Sequence, residues 1–152
     1  SFALTTTESQ NFDMVRVTAL RSNTVISKNG TAIATIQTGE TYEFQLMGSE
    51  GSCFLETSQP AGVYLYIAGA VQGNDQELSD PSMIWIPPVE QKMNDLTFAT
   101  FQSPGISAHY VNVVIPADAL EEVTMDGQLI GDEFSLMPAN PQFAFVNKHI
   151  QP

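Results

Sequence analysis

A chain of 152 residues, 43% of them hydrophobic and only 14% charged, is long enough to bury a core without disulfide or metal staples and too apolar to be a disordered polyelectrolyte. Its formal net charge of -12 repels phosphate backbones and anionic membrane surfaces, which argues against nucleic acid as a partner. No apolar run approaches the roughly 20 residues that span a bilayer, and the single Cys53 rules out an intramolecular disulfide.

Period-2 alternation predicts strands over Met14–Leu20, Thr24–Ser27, Thr31–Gln37, Thr41–Met47, Cys53–Thr57, Val63–Ala70 and Met83–Ile86. Lys28-Asn29-Gly30 separates two of these runs, and Asn-Gly is a hairpin signal because both residues accept positive φ. Thr38-Gly39-Glu40 closes the next turn, and Gly48-Ser49-Glu50-Gly51 reads as a hairpin loop. Further strands are expected over Leu96–Phe101, Tyr110–Ile115, Val123–Met125, Gln128–Ile130, Glu133–Leu136 and Phe143–Asn147, with Asp126-Gly127 as another hairpin turn. Asp118–Glu122 suggests one helical turn. The nine prolines argue against long helices, and Pro87-Pro88 fixes an extended exit from the Trp85 strand. The expected class is all-β, built as an antiparallel sandwich or barrel-like pair of units.

Two stretches echo each other. Met14-Val15-Arg16-Val17-Thr18 followed by Thr24–Gly30 matches Tyr110-Val111-Asn112-Val113-Val114 followed by Glu122–Gly127. Gly39-Glu40-Thr41-Tyr42-Glu43-Phe44-Gln45-Leu46 then corresponds loosely to Pro141-Gln142-Phe143-Ala144-Phe145-Val146, the alternate aromatic positions of each facing one side of a sheet. The chain therefore divides into a first β unit over 12–88 and a second over 89–152, packed together. The second unit ends at Pro152 before any counterpart of Cys53–Ile67, so a strand is expected from beyond Pro152 or from a neighbouring chain. The start at Ser1, with no leader pattern, similarly implies a removed leader or a longer parent chain.

The segments Gly51-Ser52-Cys53, Ser58–Tyr64, Asp80-Pro81-Ser82-Met83-Ile84-Trp85-Ile86-Pro87-Pro88-Val89-Glu90-Gln91, Leu96–Phe101 and His109–Val114 resemble, in order and spacing, the N-terminal domain family of the IgGFc-binding proteins. The resemblance runs from about Met14 to Phe145, and the Asp80–Gln91 element is its most specific part. It implies an extracellular or cell-surface protein used in binding or adhesion. It supplies no catalytic motif, and Fc binding is not carried over to this chain.

Candidate chemistry is sparse. Asp75, Glu77 and Asp80 lie in a polar loop whose carboxylates could gather around Ca²⁺, although the spacing is not that of an EF-hand and a solvated loop is the plainer reading. Cys53 and His109 are the residue types of a thiolate–imidazole couple, but a lone strand cysteine is more often a small buried hydrophobe. Gly48–Ser52 lacks the Gly-x-Ser-x-Gly spacing of a nucleophile turn, and the adjacent Glu121 and Glu122 diverge too far for an acid/base pair. Trp85, Tyr64, Tyr66, Phe98, Phe101 and Tyr110 offer an aromatic platform for a glycan, with core packing as the commoner fate of such residues. Asn29-Gly30-Thr31 is a formal glycosylation sequon on a turn.

No catalytic residue is assigned, and an enzyme is not expected. The function read from these features is recognition or adhesion at a cell surface, binding a protein or glycan through loops and sheet edges. Two alternatives are a structural spacer that accepts a neighbouring strand and a carbohydrate-binding accessory domain. A hydrolytic variant of the last would need two carboxylates roughly 5–10 Å apart.

Overall fold

The computed structural model describes residues 1–7, 12–67, 82–101 and 109–150, and in these the regular secondary structure is β-strand with short 3₁₀ turns. The strands are β1 (Phe2–Thr5), β2 (Phe12–Ala19), β3 (Thr24–Lys28), β4 (Thr31–Ile36), β5 (Thr41–Met47), β6 (Ser52–Thr57), β7 (Ala61–Ile67), β8 (Ser82–Trp85), β9 (His109–Pro116), β10 (Thr124–Met125), β11 (Gln128–Leu129), β12 (Ser135–Leu136) and β13 (Phe143–Ile150). They assemble into antiparallel sheets ordered β1-β6-β3-β4, β5-β2-β7-β8 and β12-β13-β9, plus the β10-β11 hairpin. All of these sheets are open, so the expected all-β class is realised by sheets packed face to face with no closed barrel.

Alternation dictates the first core. Every second residue of β2 is buried, and Val15 and Val17 meet Leu46 of β5 and Val63 and Leu65 of β7 on one face of their sheet. Phe2, Leu4, Ile26, Cys53 and Leu55 supply the facing layer from the other four-stranded sheet. Fully burying aliphatic side chains of this size is worth about 1.5–3 kcal/mol each, so this double layer carries most of the stabilisation of the first half.

The third sheet lies on the outer face of β1 and β6. Because Cys53 and Leu55 point into the core, Phe54 points out, and it is covered by Phe143 of β13 with ring centroids 5.6 Å apart. Asn147 Nδ2 donates to the Thr6 carbonyl at 3.2 Å on the same side. Ala144 and Val146, on the opposite face of β13, are buried, as are Ile130 and Met137.

β2 leads into the β3–β4 hairpin and pairs with the returning β5, while β9 leads into the β10–β11 hairpin and pairs with the returning β13. Both hairpins turn on two consecutive left-handed residues, Asn29 and Gly30 at φ 53° and 77°, Asp126 and Gly127 at 51° and 78°. The correspondence stops at the other side of the leading strand. β2 has β7 there, whereas β9 has no strand on that side among the described residues.

Three local expectations are revised. β1 was not among the predicted strands, yet Phe2-Ala3-Leu4-Thr5 pairs with Ser52–Leu55. Leu96–Phe101 is not a strand; Leu96, Phe98 and Phe101 are exposed on an irregular segment that pairs with no strand among the described residues. Gly48–Gly51 is not a hairpin loop, because β5 and β6 belong to different sheets and the 3₁₀ turn Gly48–Glu50 carries the chain across the sandwich.

Candidate functional site: a groove between three sheets

β1 and β8 are the edge strands on the same side of the sandwich, and between them opens a groove of about 420 Å³. Ligand pockets commonly fall in the range of about 300–1,000 Å³. Ala3, Leu4 and Thr5 of β1 and Ile84, Trp85 and Ile86 around β8 line one part of it. Tyr110, Asn112, Val114 and Pro116 line the other; they alternate onto the face of β9 turned toward the sandwich. The Pro87-Pro88-Val89 strap closes one end, and Lys92 is the one charged side chain in the lining.

The main chain of β1 gives the groove its polarity. The Thr6 N–H donates to the Gly51 carbonyl at 2.9 Å, which fixes the ladder parity so that Phe2 and Leu4 direct their N–H and C=O toward β6. Residues of the other parity point away from β6, and the Ser1 carbonyl accordingly accepts the Val89 N–H at 2.9 Å. Ala3 and Thr5 share that outward parity and line the groove, and among the described residues their outward groups meet no main-chain partner. Pro87 and Pro88 have no N–H to offer them.

A second feature lies on the solvent face of the β5-β2-β7-β8 sheet. Glu43, Arg16, Tyr64 and Trp85 form one cross-strand row through successive pairings. Gln45, Met14, Tyr66 and Met83 form the next. The Arg16 guanidinium forms an ion pair with Glu43, donates to the Tyr66 hydroxyl at 2.8 Å and lies 4.6 Å from the Tyr66 ring centroid. The Glu43 hydrogen bond raises the Arg16 guanidinium above its ordinary value and outweighs desolvation, which lowers it. Trp85 is 52% exposed at the end of its row.

The six aromatics considered from sequence are therefore outside the core. Trp85, Phe98, Phe101 and Tyr110 are exposed, and Tyr64 and Tyr66 are half-buried on the outer face. Trp85 and Tyr110 both line the groove, and Tyr64 and Tyr66 continue from Trp85 across the sheet. Val63 and Leu65, not the tyrosines, took the inward positions of β7. Sequence reasoning missed Ala3 and Thr5, because an open rung is a property of pairing and leaves no residue signature.

The remaining candidates separate. Cys53 is fully buried in the first core, where desolvation pushes its thiol up to about 12, and it is no nucleophile at neutral pH. His109 begins β9 in a different sheet. Glu121 and Glu122 are exposed in the turn after the 3₁₀ segment Ala117–Ala119. Asn29 holds its hairpin by accepting the Phe54 N–H through Oδ1 at 2.9 Å, a structural use of the sequon residue. The proposed Ca²⁺ ligands Asp75, Glu77 and Asp80 lie outside the described residues.

An open β-sandwich that presents an apolar groove and an aromatic outer face defines a binding domain. The chain belongs to the family of the IgGFc binding protein, whose match covers residues 1–151. That family is one of binding domains, in agreement with the resemblance carried by Asp80–Gln91. Neither the curated proteins nor the solved structures contain a match to the chain. No helix among the described residues is long and apolar enough to cross a membrane.

Proposed function

We propose that this chain is an extracellular recognition domain that binds a protein ligand through the surface around Trp85 and catalyses no reaction. The observation that supports this best is the concentration of exposed apolar side chains between β8 and Phe101: Met83, Trp85, Met93, Leu96, Phe98 and Phe101. Exposed apolar side chains concentrated in one segment are the kind of surface that a partner covers. Family membership supports the extracellular setting, and residues 12–88 and 89–152 act in this reading as two related β units that frame the groove together with β1.

IgG Fc, the ligand in the family's description, is the first probe, followed by a panel of extracellular proteins on a biosensor surface carrying the intact domain. Saturable binding that Trp85→Ala and Phe98→Ala each weaken by about tenfold or more supports the reading, since buried aromatic anchors typically carry at least 2 kcal/mol. Binding unaffected by both substitutions would refute it.

A glycan ligand is the second reading, favoured by the Tyr64, Tyr66 and Trp85 rings beside the Arg16–Glu43 pair. Glycan-array signals lost with Tyr64→Ala, in the absence of any protein ligand, would select it. Reversible self-association of the unliganded domain would instead favour the spacer role.

A further inference from the structure

We infer that the groove is a strand acceptor: it takes an extended segment of the protein ligand, which adds to the free edge of β1 by hydrogen bonding to the main chain of Ala3 and Thr5. This rests on the protein-recognition reading and specifies how that recognition is made. Its basis is the outward groups of Ala3 and Thr5, which meet no main-chain partner among the described residues. Ala3 and Thr5 are two residues apart, so their outward N–H and C=O groups repeat at about 6.8 Å, the spacing an extended peptide presents and a globular ligand or sugar does not.

The chain itself shows the first step of such a ladder. Val89 N–H already bonds to Ser1, the rung next to Ala3. The strap cannot donate to the next rung because Pro87 and Pro88, the residues that precede Val89, lack N–H groups. Side chains of an incoming strand would alternate between the Tyr110–Val114 face of β9, apolar apart from Asn112, and the apolar Ile84–Ile86 wall, so the segment carries apolar residues at alternate positions.

Charge adds one further requirement. The full chain has 17 acidic residues against 5 basic ones, yet the groove lining holds Lys92 and no carboxylate. Among the described residues Lys92 takes part in none of the ion pairs. A carboxylate at the end of the segment nearest Val89 would complement it.

The test uses synthetic heptapeptides in which threonine alternates with valine, leucine or phenylalanine and which end in glutamate, added to the intact domain. Amide exchange at Ala3 and Thr5 should slow by about tenfold or more, with a shift in the emission of Trp85, the chain's sole tryptophan. N-methylation of one alternate set of peptide residues should abolish binding while methylation of the other set is tolerated, because only one set faces the β1 edge. Ala3→Pro, which removes an outward donor without touching the β6 ladder, should weaken binding about tenfold. Lys92→Glu should weaken only the peptides ending in glutamate.

Should Ala3→Pro fail to fold, the N-methylation pair decides alone. Binding that shifts Trp85 emission without protecting Ala3 and Thr5, equal sensitivity to both methylation patterns, or no binding of any peptide at millimolar concentration would each overturn strand addition. If a folded protein ligand still bound through Trp85 and Phe98 in those cases, recognition would stand and only this mode would fall.

Discussion

Phe143 stacks on Phe54 at an interplanar angle of 25°, and this contact sets the third sheet on the sandwich. Phe143 pairs with Pro116 and shares the face of β9 that lines the groove, so the stack also borders the groove. Phe143→Ala should cost about 2 kcal/mol, less than a full core deletion because Phe143 is only half-buried. A double-mutant cycle with Phe54→Ala should return a coupling of about 0.5–1.5 kcal/mol in urea unfolding. Coupling below about 0.3 kcal/mol would mean that the two sheets pack independently.

Asp13 is a buried carboxyl on β2 that accepts the Thr7 N–H at 2.8 Å and the Thr7 hydroxyl at 2.9 Å. Burial raises its pKa above the ordinary carboxylate value, and the two hydrogen bonds oppose that rise. A folded pKa above the unfolded one means that Asp13 contributes most below the unfolded value and loses that contribution as pH rises through the folded one. Asp13→Asn, whose amide can serve both Thr7 groups, should remove this dependence, leaving urea stability flatter with pH above about 4. Asp13→Ala should cost about 1–3 kcal/mol at low pH by stranding the Thr7 donors, and less as pH rises through the folded pKa of Asp13.

Cys53 should resist alkylation in the native state and react only on unfolding, as its thiol stands at about 12 and its exposure is 0%. Thiol-reagent kinetics across a urea series should follow the global unfolding curve. Cys53→Ser should destabilise by about 1–3 kcal/mol, because the new hydroxyl enters a fully apolar layer.

Two glycines should respond for different reasons. A Cβ at Gly30 meets open space, so Gly30→Ala carries only the strain of φ 77°, about 1 kcal/mol in thermal unfolding. A Cβ at Gly131 would run into the backbone carbonyl of Leu120, which has no flexible end to move aside. Gly131→Ala should therefore cost about 3 kcal/mol or more and disturb the buried Ile130 beside it.

These residues also mark what a sequence can disclose. Asn29-Gly30 and Asp126-Gly127 were legible because a two-residue turn is a local event, decided by which side chains tolerate positive φ. The inward sets Val15, Val17 and Ala19 were legible for the same kind of reason, since period 2 follows from strand geometry. Sheet membership was not. Nothing in Gly48-Ser49-Glu50-Gly51 distinguishes a hairpin from a crossing between sheets, because the choice is made by what β6 meets on both sides. Leu96–Phe101 carries an alternation without a partner strand, and Phe2–Thr5 gained one despite being only four residues long. The open rungs of Ala3 and Thr5 belong to that non-local category, as does the outward placement of Tyr64 and Tyr66.

The proline pair in the strap has a consequence for how the molecule is made. A tether able to donate hydrogens would zip onto its own border as the polypeptide left the ribosome, and the slot would be sealed before any visitor arrived. Two pyrrolidine rings at Pro87 and Pro88 remove two of the donors that such closure would use. The loss of those two donors is covalent, and so it is independent of temperature, salt and folding route.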